Sequence, residues 1–520
     1  MKTYIVRTRI ENNETTGTRP FYLPAGFGTV KGALFYYTTS AVGLDQIDTT
    51  TNDQTFGIGF AGSPLGGAGV TSRTAGIIID ANGSAGTMRT YTYNWDSVAA
   101  YSGLPDGTVN RRLLVTGFAQ DRIDCDLIVT GVQTVPLDIT ITVFSGTGLS
   151  VAVNSVSTTA TGLGVTNARW ITGMTFRPDL ILGTYTQNTV MTGVSSITDA
   201  QICFGAAIRS PGAGTTSGYE ACISYRNQNA VGSAALTQAI SNTSFGRGIR
   251  NANEMRVTSY GGTGFSVFSF GAAAGGSYPI HFMAFYEYST DQYKVDNIIY
   301  PSAIGTSFYS VGFIPQLIIG GTGGTSAAFG VIDTTDASDP LSVYTAYGLR
   351  EKNNTGLGTI TSSTGSTTIT GTGSSFRGTV AKGDTIYNSS LTALGTVSFV
   401  VSNTTLQLTS NASANVTNEA WAYNQSAQYS VAIVADDGAA PANGANATII
   451  SKSAITSYDG SAAGSSAVIT MKGDMVNFDS RPGFGVSYNS AAFAGAARRG
   501  FFVAFDDNFN RARRGTANSQ

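Results

Sequence analysis

Alternating apolar and polar positions recur along most of the chain, and this period-two pattern predicts short β-strands. Leu137–Val143 is apolar at every second residue, which places those side chains on one face of a strand. Glu254–Thr258 alternates in the same way, and Phe265–Phe270 follows a Gly-Gly turn as the second strand of a hairpin. Gly76–Asp80 is a continuous apolar run, typical of a strand buried on both faces. Helical periodicity is scarce and strongest in Ser233–Ile240, so the pattern predicts an all-β fold.

The strand pattern repeats in three segments of the chain. Each segment opens on a β-type run: Thr3–Ile10, Leu149–Val156 and Tyr293–Tyr300. Each closes on another: Asp138–Phe144, Pro279–Tyr286 and Gly500–Phe505. Pro178 and Pro315 hold matching places 137 residues apart (315 − 178), a domain-sized period rather than the roughly 20–50 residues of solenoid repeats. We therefore predict three tandem β-sandwich domains of jelly-roll-like type, at 1–146, 147–290 and 291–507.

The third segment is longer because Gly356–Tyr423 interrupts it. This stretch contains about six short apolar runs separated by Gly, Asn and Ser, which predicts a small β-barrel or sandwich insert at 356–424. We expect the insert to pack against its host domain. The polar, arginine-containing residues 508–520 form a tail that is either a frayed terminus or an arm lying on a neighbouring subunit.

Composition narrows the class of protein. Hydrophobic residues make up 42% of the 520 residues, enough for several cores, while charged residues reach only 12%, against about 25% in typical soluble domains. The net charge of −2 implies no large basic surface, so nucleic acid is not expected as a partner. The first residues lack an apolar signal segment, and no apolar run is long enough to span a membrane. The sequence therefore predicts synthesis in a cytoplasm without a signal peptide and no membrane insertion.

Residues able to carry catalysis are few. His281 is the single histidine, so a Ser-His-Asp triad would have to use it, and no G-x-S-x-G motif marks a partner serine. Asp124 and Asp126 fall on one face of a predicted strand, where paired acids could act on a sugar or bind a cation. Solvent-facing acids are the more ordinary interpretation of that pair. Cys203 and Cys222 could form a disulfide, but an odd, sparse cysteine count favours buried free thiols.

Two further motifs suggest ligands. One loop carries three acids spaced by three residues, Asp333, Asp336 and Asp339. Their carboxylates are compatible with a calcium ion, although the loop lacks the Gly and the terminal Glu of an EF-hand. The aromatic run Tyr91, Tyr93 and Trp95 could form a stripe that stacks on carbohydrate or lies in an interface, although most aromatic residues in strands belong to the core. Neither motif is specific, so the sequence predicts no catalytic, cofactor-binding or metal site.

Two segments resemble a motif common in bacteriophage virion proteins, in which a GF-x-P-D turn leads into a hydrophobic strand and a Gly-Phe strand follows later. The matching residues are Phe176–Leu182 and Phe313–Ile319, with Gly264–Val267 and Gly483–Val486 as the later element. The insert resembles a second phage module through Thr367–Phe376 and Gly383–Ile386. The first segment departs from the pattern, since it carries Ala25-Gly26-Phe27 in place of the proline turn.

The resemblance implies a virion location and no catalytic residues. The leading hypothesis is a non-enzymatic structural protein of a phage tail (fibre, baseplate or host-attachment component), with capsid decoration as the alternative. Its expected partners are other copies of itself, neighbouring virion proteins and a host surface glycan or receptor. Two other classes stay open: a glycan-degrading tail depolymerase that uses Asp124 and Asp126, and a bacterial adhesin or carbohydrate-binding module.

Overall fold

The structure is a computed structural model, and it describes residues 1–24, 26–43, 46–48, 53–80, 89–104, 108–157, 168–186, 188, 192–196, 199–210, 217–228, 236–248, 254–270, 278–287, 293–300, 305–313, 315–323, 328–329, 331–333, 341–347, 354–374, 376, 380, 385–424, 428–434, 447–451, 455–459, 468–476, 482–488 and 498–506. Strands account for 71% of this part and no helix occurs in it, which confirms the predicted all-β fold. The predicted tail 508–520 lies outside the described residues.

Four sets of strands follow one another along the chain. The first unit contains β1 (Lys2–Ile10), β2 (Gly17–Thr18), β3 (Phe21–Tyr22), β4 (Val30–Thr39), β5 (Ile47–Asp48), β6 (Asp53–Gly62), β7 (Thr71–Asp80), β8 (Arg89–Asp96), β9 (Ala100–Gly103), β10 (Asn110–Ala119), β11 (Arg122–Thr130) and β12 (Leu137–Ser145). The second unit contains β13 (Ser150–Ser157), β14 (Arg169–Ile171), β15 (Leu180–Thr186), β16 (Gly193–Ser196), β17 (Asp199–Arg209), β18 (Ser217–Gln228), β19 (Leu236–Ser241), β20 (Gly246–Arg247), β21 (Glu254–Gly261), β22 (Gly264–Phe270) and β23 (Pro279–Tyr286).

The third unit is split by the insert. It begins with β24 (Tyr293–Tyr300), β25 (Gly305–Ser310), β26 (Pro315–Gly323), β27 (Ile332–Asp333) and β28 (Leu341–Tyr347). The insert contains β29 (Asn354–Thr355), β30 (Thr359–Ser362), β31 (Thr368–Thr372), β32 (Thr385–Asn388), β33 (Ala393–Ser402), β34 (Thr405–Leu408), β35 (Val416–Glu419) and β36 (Trp421–Asn424). The third unit resumes with β37 (Gln428–Val434), β38 (Ala447–Ser451), β39 (Ile455–Asp459), β40 (Val468–Val476), β41 (Gly483–Tyr488) and β42 (Arg498–Asp506).

Each unit builds one large antiparallel sheet with the same plan. The strand orders are β1-β12-β4-β6-β7-β8-β16, β13-β23-β15-β17-β18-β19-β27 and β24-β42-β26-β28-β37-β38-β5. In each sheet the first strand of the unit pairs with the last, and four further strands follow in chain order. The predicted opening and closing runs are therefore neighbours in space. That the units arose by duplication of one sequence stays a prediction.

The seventh strand of every large sheet comes from a different unit. β16 of the second unit pairs with β8 of the first, β27 of the third pairs with β19 of the second, and β5 of the first pairs with β38 of the third. The donor loops correspond, because each joins the third and fourth strands of its donor's large sheet. The exchange thus runs around a closed cycle of three units.

A smaller sheet covers the outer face of each large sheet. The orders are β2-β11-β10-β9 with β3 also on β11, β14-β22-β21-β20, and β25-β41-β40-β39. Alternate residues of β4 show why both faces of the large sheets are apolar: Phe35 and Tyr37 join the core under the small sheet, whereas Leu34 and Tyr36 join a second core shared by all three units. Burial on both faces explains the continuous apolar runs in the sequence.

The insert has a core of its own. Its strands form one path, β29-β36-β32-β33-β34-β31-β30-β35. Seven of these described strands lie within the predicted bounds 356–424, against about six expected, and β29 lies just before them. Trp421 is fully buried there and contacts Phe376 at 5.2 Å between ring centroids. The hydroxyl groups of Tyr423 and Tyr4 lie 2.8 Å apart, so the insert contacts the first unit as well as continuing the chain of the third.

Candidate interaction surfaces

Three phenylalanines meet at the centre of the molecule. Phe144, Phe285 and Phe505 lie in the last strand of the first, second and third units, and all are buried. Their ring centroids are separated by 5.0, 5.8 and 6.0 Å. Aromatic pairs at this spacing contribute about 0.5–1.5 kcal/mol each beyond their buried area. The cluster therefore ties the three large sheets to one another.

A buried polar contact fixes one of the strand exchanges. Asn94 on β8 donates from Nδ2 to the carbonyl oxygen of Asn188 at 3.2 Å, and Asn188 donates back to the carbonyl oxygen of Thr92 at 3.3 Å. Asn188 precedes β16, whose Val194 faces Tyr93 in the register. Because buried amides must find hydrogen-bond partners, these contacts favour one position of the donated strand.

The predicted acid pair lies on β11, in the small sheet of the first unit. Asp124 and Asp126 are two residues apart in the strand, so they share a face, and both are partly exposed. Asp124 forms an ion pair with Arg122 at 2.7 Å. The preceding turn is anchored separately, since the carboxylate of Asp121 accepts hydrogen bonds from the backbone of Gly26 and Gly28 at 2.9 and 2.6 Å.

His281 is buried in β23 between neighbouring strands. Its Nδ1 lies 2.6 Å from Ser155 Oγ, which also accepts a hydrogen bond from Arg73 Nε at 3.1 Å. Burial, and then the nearby positive charge of Arg73, lowers the pKa of His281 to about 3. Among the described residues, His281 has a serine as its hydrogen-bond partner and a cation nearby rather than the carboxylate of a triad, so these contacts suit a structural role.

The structure describes only one of the three acids in the calcium-compatible loop, so that loop stays a prediction. Asp333 is part of β27, where it faces Gln238, and Asp336 and Asp339 lie outside the described residues. Within the described ranges no three His, Cys, Asp or Glu residues stand close enough to hold a metal ion. Cys125, Cys203 and Cys222 are buried free thiols, as expected.

The carbohydrate-stacking interpretation of the aromatic stripe is wrong for two of its members. Tyr91 and Tyr93 are buried, and only Trp95 is partly exposed. The physical reason is the small sheet that packs over this face of β8: both side chains belong to the core beneath it, and the Tyr93 ring centroid lies 4.7 Å from that of Tyr101 on β9. Tyr93 donates its hydroxyl proton to Tyr37 Oη at 2.9 Å, so its polar end is also satisfied inside the protein.

Exposed aromatic side chains lie elsewhere, and two of them are on the small sheets. Trp170 on β14 is 54% exposed and Phe308 on β25 is 40% exposed. Both strands stand at the end of their sheet in the strand orders given above. Isolated exposed aromatic residues are common, but aromatic residues at a sheet edge provide both apolar area and backbone groups for a partner.

A polar cleft of about 260 Å³ opens between the first unit and the insert. Its wall includes Arg19 and Glu14, which form an ion pair, and Asn403 from the insert. The sequence did not indicate this cleft, because it depends on the contact between two segments that are distant in the chain.

No helix among the described residues is long and apolar enough to cross a membrane. Comparison with known proteins found no matching protein-family model and no significant match among curated proteins. Function must therefore be argued from the architecture and from the surfaces described above.

Proposed function

We propose that this chain is a non-enzymatic structural component of a bacteriophage virion, positioned at the tail surface as a fibre, baseplate or host-attachment protein. One observation carries the proposal: three units exchange strands in a closed cycle around a shared apolar core. The product is a single chain with the architecture of a trimer. Such a body suits an assembly whose components must meet symmetric neighbours.

The energetics support the same role. Most of the described backbone is held in antiparallel ladders, and the large sheets bury apolar side chains on both faces. Each seventh strand is held in a neighbour's sheet, so no unit can separate without breaking a ladder. Particles that leave the cell benefit from such slow local opening, because proteolysis requires it.

The proposed location in a virion comes from the resemblance to phage modules, and that resemblance rests on short motifs. Two of them fall at matching places in the fold: Leu180–Leu182 opens β15 and Leu317–Ile319 lies in β26, each the third strand of its large sheet. We propose that the protein is made in the host cytoplasm and incorporated into the particle, where it contacts neighbouring virion proteins, further copies of itself and a host surface glycan or receptor.

Capsid decoration is the second candidate, because icosahedral shells offer three-fold positions to a body made of three similar units. Gold-labelled antibody against this chain, applied to gradient-purified particles, separates the two locations by electron microscopy. Label at the tail supports attachment, and label over the head supports decoration. Particles that carry no label, while an antibody to another structural protein labels them, would contradict both.

A further inference from the structure

The three small sheets carry corresponding outer edges. In the second unit the buried pair Ile171–Phe265 joins β14 to β22, and in the first the buried pair Phe21–Ile123 joins β3 to β11. In the third, the partly buried Tyr309 pairs with the buried Phe484 and joins β25 to β41. The residue just before the first member of each pair occupies the same place on the solvent face. Those residues are Pro20, Trp170 and Phe308.

The three edges differ in how they resist pairing with another strand. The first is broken into two strands of two residues, with Arg19 and Pro20 between them. The second has three residues and begins with the exposed Arg169. Short length, proline and charge are the usual means by which proteins protect sheet edges. These two edges are therefore protected.

The third edge has none of these protections. β25 is six residues long, Gly305–Ser310, with neither a charged residue nor a proline. It is the end strand of its sheet in the described part of the chain, and Thr306, Phe308 and Ser310 are exposed. A regular, uncharged edge of this length is a template for strand addition.

We propose that β25 pairs antiparallel with β25 of a second copy, which joins two four-stranded sheets across a two-fold axis. This inference deepens the proposed function, since it names the surface through which copies associate. A two-fold contact needs a patch that is complementary to itself. β25 meets that need, because its lack of charge removes like-charge repulsion and its Phe308 rings add apolar area on one face.

The fold already uses this mode of association three times. β16, β27 and β5 each extend the sheet of another unit by antiparallel pairing. Those internal additions complete the large sheets, whereas β25 would complete a small one. We favour a second copy as the partner of β25 because every copy presents the same six-residue edge.

Sedimentation of the purified full chain over a wide concentration range tests the proposal. We expect a reversible monomer–dimer equilibrium for the native sequence and monomer for Phe308→Lys, which places two ammonium groups across the axis. Trp170→Lys is the matched control and should still dimerise, because it alters the protected edge. A native chain that stays monomeric throughout, or a Phe308→Lys variant that dimerises as well as the native chain, would overturn it.

Cysteine cross-linking gives a second readout on the folded protein. All three native thiols are buried, so an introduced surface cysteine is the accessible one. Oxidation should link copies through at least one of Thr306→Cys, Phe308→Cys and Ser310→Cys, and not through Trp170→Cys. Absence of linkage in every β25 variant, with native circular dichroism, argues against the pairing. Both tests use isolated protein, so they are independent of whether particles carry the chain.

Discussion

At the scale of single residues, the centre of the molecule depends on aromatic side chains contributed by all three units. Phe144, Phe285 and Phe505 occupy the last strand of each unit and contact one another. Periodicity predicted that these residues belong to strands. It did not predict that they would meet, because their separation in sequence gives no information on distance in space.

Replacing Phe144 with Ala should destabilise the whole protein. The change leaves a cavity where the three units meet, and such truncations cost about 3–5 kcal/mol. Denaturant unfolding monitored by circular dichroism measures the difference. Val132→Ala is the control for loss of an exposed apolar side chain, since Val132 is 85% exposed, and should change stability by no more than about 0.5 kcal/mol. Equal effects of the two substitutions would argue against a shared central core.

Glu220 makes stability depend on pH. Burial raises the pKa of this carboxyl group to about 8, although the backbone N–H of Val257 donates to it at 2.9 Å. The unfolded chain releases its proton near pH 4.5, so the stabilisation is complete below that pH and is lost as pH rises towards 8.

Glu220→Gln cannot ionise and should remove this dependence. We expect the free energy of unfolding of the native protein to fall relative to the variant by on the order of a few kcal/mol between pH 4.5 and 8. Denaturant titrations at several pH values give the difference directly. A constant difference between the two proteins across that range would contradict the account of Glu220.

At the scale of elements, local patterns predicted the strands well. Tyr293–Tyr300 and Pro279–Tyr286 are strands with the predicted bounds. The segment with the strongest helical periodicity, Ser233–Ile240, is a strand where the structure describes it, since Leu236–Ser241 forms β19 between β18 and β27. A ladder on both sides outweighs a weak local preference for helix.

The exchanged strands could not be predicted from the sequence. β5 and β27 have two residues each, too few for a period to be recognised, and their pairing partners lie in other units. The same limit hid the cleft beside the insert. Strand identity is encoded locally in this chain, whereas edge pairing depends on how the units meet.

Excision of the insert tests whether it folds as a separate element. Removing 354–424 takes away all eight strands of its sheet, while Ala346 and Gln428 remain paired neighbours in β28 and β37. The ends are therefore already close, and loop closure costs little. We expect a cooperative thermal transition near that of the full chain, lowered slightly by loss of the Tyr4–Tyr423 contact.

Tyr423→Phe in the full chain is the matched control, because it removes the hydroxyl group that contacts Tyr4 and keeps the ring. It should reproduce any small decrease seen on excision. Loss of the cooperative transition in the excised chain, with the control unaffected, would instead make the insert an integral part of the third unit.

At the scale of the whole molecule, the cycle of strand exchange turns three units into one body. Composition predicted rigid β-domains with few charges, and the resemblance to phage modules suggested where such a body would serve. Neither indicated that the units share a core, which is why the sequence left open an array of separate domains. The shared core is the property that makes a role in a symmetric particle physically reasonable.

Cryo-electron microscopy of gradient-purified phage particles, from the strain that carries this sequence, tests the proposed virion role most directly. We predict surface density, on tail or head, that fits three interlocked large sheets related by an approximate three-fold axis, with the insert breaking the symmetry at one unit. A map in which all surface density is assigned to other proteins, from particles whose peptides do not include this chain, would contradict the proposed virion role.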